Sequence, residues 1–250
     1  MNSLTWIQPD WPAPPHVRAA ATLRTGGVSA GAYASLNLGS HVGDDPAAVA
    51  ENRRRIREAL RLPAEPLWLN QVHGAHVHRA EPDGQRRETA PTADACVAFR
   101  ADQICAVLTA DCLPVLLCDR DGTGVAAVHA GWRGLVAGVL GSTIEALDVE
   151  PRRLIAWLGP AIEQEAFEVG AEVRDQFIAC DPDNASGFLE NARGRWQADI
   201  YTLARIALGR LGVADIYGGG WRGYEDRERF FSYRRDSRTG RMATMVWLAP

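Results

Sequence analysis

Between Ile104 and Ala130 the chain carries three apolar runs, ICAVLT, LPVLLCD and VAAVHA, each broken off by polar residues. A run of that length fits a strand buried on both faces better than a helix. ICAVLTADCLPVLLCD reads as two buried strands interrupted at Ala110 to Leu113, DRDGTG as a turn, and VAAVHAGWRG as a strand running into glycine. Asp111 and Pro114 also break the most apolar stretch of the chain, which therefore cannot cross a membrane.

The flanks supply the rest of a mixed α/β domain. Val17 to Leu23 reads as a strand ending in the loop RTGGVSAG. DDPAAVAENRRRIREAL reads as a helix capped by Asp44 or Asp45, with Pro46 in its first turn and Val49, Ile56 and Leu60 on one face. LWLNQVHG, HVHR, ADACVAF and LIAWLGP read as strands, and GLVAGVLGSTIEAL, GAEVRDQFIA and DIYTLARIALGRL as helices. FFSYRRDSRTGRMATMVWL reads as a closing hairpin with SRTG at its turn. The irregular alternation predicts one compact domain over residues 17–250, with mixed sheets flanked by helices, after an irregular lead-in over residues 1–16. The start of the chain lacks the basic and apolar regions of a signal peptide. With five cysteines and no CxxC pair, reduced thiols in the cytoplasm are expected. A net charge of -4 gives no pull toward nucleic acid or an anionic membrane.

Three residues stand where chemistry is affordable. His129 ends an apolar strand and meets the helix start AGWRGL, where free backbone N–H groups gather. Arg133, in the first helical turn, opposes the helix dipole unless it meets an anion. The plainer alternative is a hydrogen-bonded core histidine and a surface-paired arginine. Cys112 follows Asp111 in TADCLP, where a buried acid and a thiol both need partners; a metal-bound thiolate, a nucleophile and an apolar filler all remain open. Cys96, Cys105, Cys118 and Cys180 lie in apolar stretches and read as fillers. His73 ends WLNQVH before Gly74, and its spacing to Cys112 and His129 matches no local metal motif. RTGGVSAG, with Arg24, and SYRRDSRTGR, with Arg234, Arg235, Arg238 and Arg241, suit a small anion or solvent equally.

The blocks LRTGGVSAGAYASLNLGSHVGDD, WLNQVHG, TADCLPVLLCD, VAAVHAGWRGL, AWLGPAI and FFSYRRDSRTGRMA resemble, in order and together, the YfiH-type family of laccase-domain or polyphenol-oxidase-like proteins, largely assigned as purine nucleoside phosphorylases. The resemblance implies an α/β fold related to the catalytic domain of cytotoxic necrotizing factor. It implies a metal site of His73, Cys112 and His129, holding zinc in a tetrahedron with one open position, with copper also possible. It implies catalytic roles for Cys112, His129 and Asp111, and substrate or anion contacts from Arg24, Asn37, Arg133, Arg234 and Arg235. Members of the family usually carry a Cys-Thr pair where this chain has Arg222 and Gly223.

The function so implied is phosphorolysis of adenosine, inosine and 5′-methylthioadenosine, with adenosine deamination beside it. Its partners would be purine nucleosides and phosphate, with no nucleic acid and no membrane, and the protein a monomer or weak homo-oligomer. Two alternatives come from other chemistries. One is an amidase editing peptidoglycan precursors, with Cys112 as nucleophile and His129 as its base. The other is a copper polyphenol oxidase, for which six histidines are too few if several copper centres are required.

Overall fold

The computed structural model describes residues 4–81 and 89–249. In chain order its strands are β1 (Trp6–Ile7), β2 (Val17–Thr22), β3 (Val77–Arg79), β4 (Ala95–Ala98), β5 (Ile104–Thr109), β6 (Leu113–Asp119), β7 (Val125–Ala130), β8 (Leu154–Leu158), β9 (Glu168–Val169), β10 (Phe188–Glu190), β11 (Trp196–Ala198), β12 (Asp215–Gly218) and β13 (Met242–Leu248). The helices are α1 (Pro46–Ala59), α2 (Trp132–Val136), α3 (Val139–Leu147), α4 (Ala171–Cys180), α5 (Ile200–Arg210) and α6 (Tyr233–Asp236). No helix among the described residues is long and apolar enough to cross a membrane.

Two sheets carry the architecture. One has the order β1-β2-β13-β5, the other β12-β8-β6-β7-β4-β3, and a small third sheet has the order β10-β11-β9. The larger sheet is mixed, with β12 parallel to β8, β3 parallel to β4, and antiparallel pairs between. Strand alternation sorts the core into layers. Leu113, Val115 and Leu117 of β6 join Val139, Ile144, Phe177 and Leu203 beneath the helices, whereas Leu116 and Cys118 join Cys105, Val107 and Val246 between the sheets. The outer face of the smaller sheet, through Ala106, Ala243 and Met245, packs on Ile56 of α1 and on Leu36 and Leu38. The result is a single mixed α/β domain in which β6 and β7 are buried along their whole length.

The expected elements are present with four differences. The lead-in is not wholly irregular, because Trp6 and Ile7 pair with Thr22 and Ala21. LWLNQVHG forms only isolated bridges at Leu67 and Asn70, and Gln71 takes the place of a strand partner: its side chain bonds both Leu108 N and Leu108 O. The helix expected over GLVAGVLGSTIEAL is split by Gly138, whose φ of +84° ends α2 and starts α3. The closing hairpin does not form. Ser232 caps the short helix α6 by accepting from Arg235 N, Phe230 and Phe231 are buried beside Ala110 and Met242, and β13 runs alone into the sheet between β2 and β5.

Candidate metal centre

Two adjacent strands and one loop converge on a single point. Pro114 of β6 pairs with His129 of β7, which sets Cys112, two residues back, across from the start of α2. By alternation His129 shares the inter-sheet face with Val125 and Ala127, and Cys112 the face with Leu116 and Cys118. His73 arrives from the loop before β3, on a backbone with φ +62°. The ligand-capable atoms of His73, Cys112 and His129 all lie within 4.8 Å of one another. Cys112 Sγ is 3.8 Å from His73 Nε2, and the two imidazoles meet edge to face with centroids 4.7 Å apart.

Asp94 holds the histidines together. This fully buried carboxylate immediately precedes β4 and accepts from His73 N at 2.8 Å, Gly74 N at 2.7 Å and Val72 N at 3.3 Å. His129 Nδ1 lies 2.8 Å from the same carboxylate, which leaves Nε2 to face the cluster. Asp94 was not singled out from the sequence. The available signal was PTADACVAF, an acid at the head of an apolar strand, repeating the pattern of TADCLP. Gly131 completes the geometry: a Cβ there would sit 3.0 Å from Cys112 Sγ and 3.3 Å from His73 Cδ2.

The charges follow from this geometry. Burial pushes the Cys112 thiol up, but His129 and then His73 more than offset it, bringing the pKa down to about 6. Burial lowers His129, while Cys112 and Asp94 raise it to about 9. Asp94 is penalised by burial, yet His129 and the Gly74 and His73 amides hold it below the usual carboxylate range. Asp111 has φ +91°, and one of its oxygens accepts from Arg234 N at 2.6 Å. Its other oxygen, Oδ1, is buried with no hydrogen-bond partner among the described residues, and burial raises its pKa. Positive φ at both His73 and Asp111 marks strained backbone at the two turns that present His73 and Cys112.

The anion candidates are less uniform. The Arg24 guanidinium donates to Ala34 O and Arg227 O and lies over Phe231. Arg235, with its side chain only 2% exposed, donates to Tyr224 O and Phe230 O and pairs with Asp236. Arg234 reaches Ala166 O and Glu168 O. Asn37 is buried and spends its amide on Gly39 and Asp44, while its carbonyl accepts from Gly39 N and Arg241 N. Arg133 is exposed and lies over the Trp132 ring. Of the thiols read as apolar fillers, Cys96, Cys105 and Cys118 are buried, but Cys180 is exposed at the end of α4.

Similarity to known proteins extends over nearly the whole chain, the metal-capable group included. The chain is 55% identical to a purine nucleoside phosphorylase of Pseudomonas aeruginosa, covering 97% of this chain and 98% of that one. It is 50% identical to the purine nucleoside phosphorylase YfiH of Escherichia coli K12, with the same coverage. The crystal structure of a Neisseria meningitidis protein superposes with a TM-score of 0.93 at 49% identity, over 98% of this chain and 99% of that one. YlmD from Geobacillus stearothermophilus superposes with a TM-score of 0.91 at 28% identity, over 100% of this chain and 98% of that one. The family described as multi-copper polyphenol oxidoreductase laccase matches residues 18–249, and the chain belongs to that family.

Proposed function

We propose that this chain is a zinc-dependent purine nucleoside phosphorylase that acts on adenosine, inosine and 5′-methylthioadenosine, deaminates adenosine as a companion activity, and works in the cytoplasm. The observation that carries the reading is the convergence of two imidazoles and one thiol within 4.8 Å, beside relatives named purine nucleoside phosphorylase. The donor set suits zinc: two nitrogens and a sulfur fill three corners of a tetrahedron, and copper accepts the same donors. Bound there, held by His73, Cys112 and His129, zinc would supply Lewis-acid chemistry to the substrate.

The chain's own residues have separable tasks. Asp94 fixes the His129 ring, with Nδ1 engaged and Nε2 presented, and pins the His73 loop through three amides. Asp111, one residue from Cys112, has a buried oxygen without a partner among the described residues, and burial raises its pKa, which suits it to hold a proton beside the site. Phosphorolysis needs phosphate as its nucleophile, and guanidinium donors beside the site would position it. The test is product analysis. Adenosine with phosphate should yield adenine and ribose 1-phosphate, and omitting phosphate should stop adenine release while sparing inosine formation. Adenine release that ignores phosphate would sink the reading.

One observation favours a second reading. The Cys112 thiol at about 6, beside His129 and then Asp94, makes a Cys–His–Asp chain of the kind that activates a nucleophile. That amidase would use a metal-free thiolate and survive chelation.

A further inference from the structure

Asp94 braces the two histidines of the cluster, through His129 Nδ1 and the amides of Val72, His73 and Gly74. The thiol stands on a different support. Asp111, whose φ is +91°, is gripped from two sides. Its carbonyl accepts from Ile162 N at 3.0 Å, and its Oδ2 accepts from Arg234 N at 2.6 Å. Glu163, next to Ile162, is a buried carboxylate whose Oε2 accepts from Tyr224 N and Oε1 from Glu225 N, each at 3.0 Å. The Tyr224 carbonyl accepts from Arg235 Nη1 at 2.5 Å, and Arg235 follows Arg234 in α6. The contacts close a ring: Asp111 to Ile162–Glu163, on to Tyr224–Glu225, then Arg235–Arg234, and back to Asp111. Cys112 is the residue that leaves this ring toward the cluster.

Glu163 and the Arg235 side chain are both buried. Burying a charge is costly unless its bonding capacity is used, and apolar side chains could fill the same space without that cost. Here the capacity is used in full. Glu163 spends both oxygens on successive amides, while Tyr224 O, Phe230 O and the Asp236 carboxylate engage all three Arg235 nitrogens. What the charges add is direction, because charge-assisted bonds are short and oriented. Residues 159–163 and 221–225 lie in no helix or strand, so main-chain ladders cannot fix them. A strained turn such as Asp111 persists only where its surroundings over-determine it.

We propose that Glu163 and Arg235 are positioning residues for Cys112. Through the ring they lock the Asp111 turn, and so fix where the thiolate meets a metal held with His73 and His129. The inference rests on the metal-centre part of the proposed function and not on its phosphorylase part.

The test loads the metal-stripped whole chain with zinc, in competition with a chelator, and separately with cobalt. The thiolate-to-cobalt charge-transfer band reports the metal–sulfur bond apart from the histidines. Arg235→Met and Glu163→Gln should each weaken zinc binding about tenfold, the lower end for lost partners behind metal ligands, and should reduce that band. Arg235→Lys, which keeps the charge and can keep one carbonyl bond, should restore part of both. Val213→Ala, in the core beneath the helices, is the control: it should lower stability to urea and change neither metal reading. Wild-type zinc affinity in folded Arg235→Met and Glu163→Gln overturns the inference. So does weaker zinc binding with a full thiolate band, since Cys112 would then be correctly placed. If only one of the two folds, that one decides; if neither does, Arg235→Lys decides by the same criteria. A wild-type protein that takes up neither metal overturns the inference and the metal centre together. If the variants lose zinc affinity and the band while adenine release proves indifferent to metal, the positioning role stands and the proposed function falls.

Discussion

Cys112 and His129 perturb each other in opposite directions, and the consequence can be read from pH. The thiol lies at about 6 in the fold, below the ordinary thiol value, so its contribution to stability is present at high pH and is lost as pH falls through about 6. His129 lies at about 9, above the ordinary imidazole value, so its contribution is present at low pH and is lost as pH rises through about 9. Between those limits the metal-free protein holds a thiolate–imidazolium pair. Alkylation of metal-stripped protein by iodoacetamide should therefore inflect near pH 6 at Cys112. Cys118, pushed up to about 12 by burial and then by Asp119, and the buried Cys105 should stay inert. A Cys180→Ser background removes the exposed thiol. An inflection at the ordinary thiol pH would show that the pair does not form. The residues of this pair were legible in the sequence because a polar side chain at the end of an apolar strand is conspicuous. Asp94 was not, since its partners come from a loop twenty residues away and from a different strand.

At the scale of elements, the site depends on how closely β6, β7 and the start of α2 approach one another. Gly131 sits where β7 passes into α2, and any side chain there meets the Cys112 sulfur at 3.0 Å. Gly131→Ala should lower metal affinity by at least tenfold while costing about 1–3 kcal/mol of stability, as a small overpacking change does. Metal titration beside urea unfolding checks both. Full affinity in the variant would mean that the turn relaxes and that the close approach does not shape the site. Gly223 makes a similar point about the departure from the usual family pattern. Its N–H bonds Ala161 O, and a Cβ would come within 2.6 Å of that oxygen, so this backbone excludes a side chain, while Arg222 turns outward to Glu225 and Glu165. Buried strands and capped helices were visible in sequence through apolar runs and caps such as Asp45, which accepts from Ala47 N. The false hairpin arose because Phe230 and Phe231 look like strand residues, whereas the fold uses them as plugs beside Trp221 and Met242.

Across the whole molecule, two sheets trap an apolar layer between them and leave the His73, Cys112 and His129 group that could hold a metal at its edge, where strand ends meet the loop carrying His73. That arrangement joins sequence segments far apart, which is why composition and spacing alone left His73, Cys112 and His129 as separate candidates. The central claim is that these three residues hold a metal on which nucleoside cleavage depends. The most direct measurement is phosphate-dependent adenine release by one preparation at three stages: as purified, after prolonged chelation, and after zinc is restored, with metal content determined each time. About one zinc per chain should be present at the start. Activity should fall in step with metal loss and return with zinc, while Cys112→Ala should neither bind zinc nor regain activity. Full-rate adenine release from protein stripped of its metal would contradict the account and give the site to the thiolate.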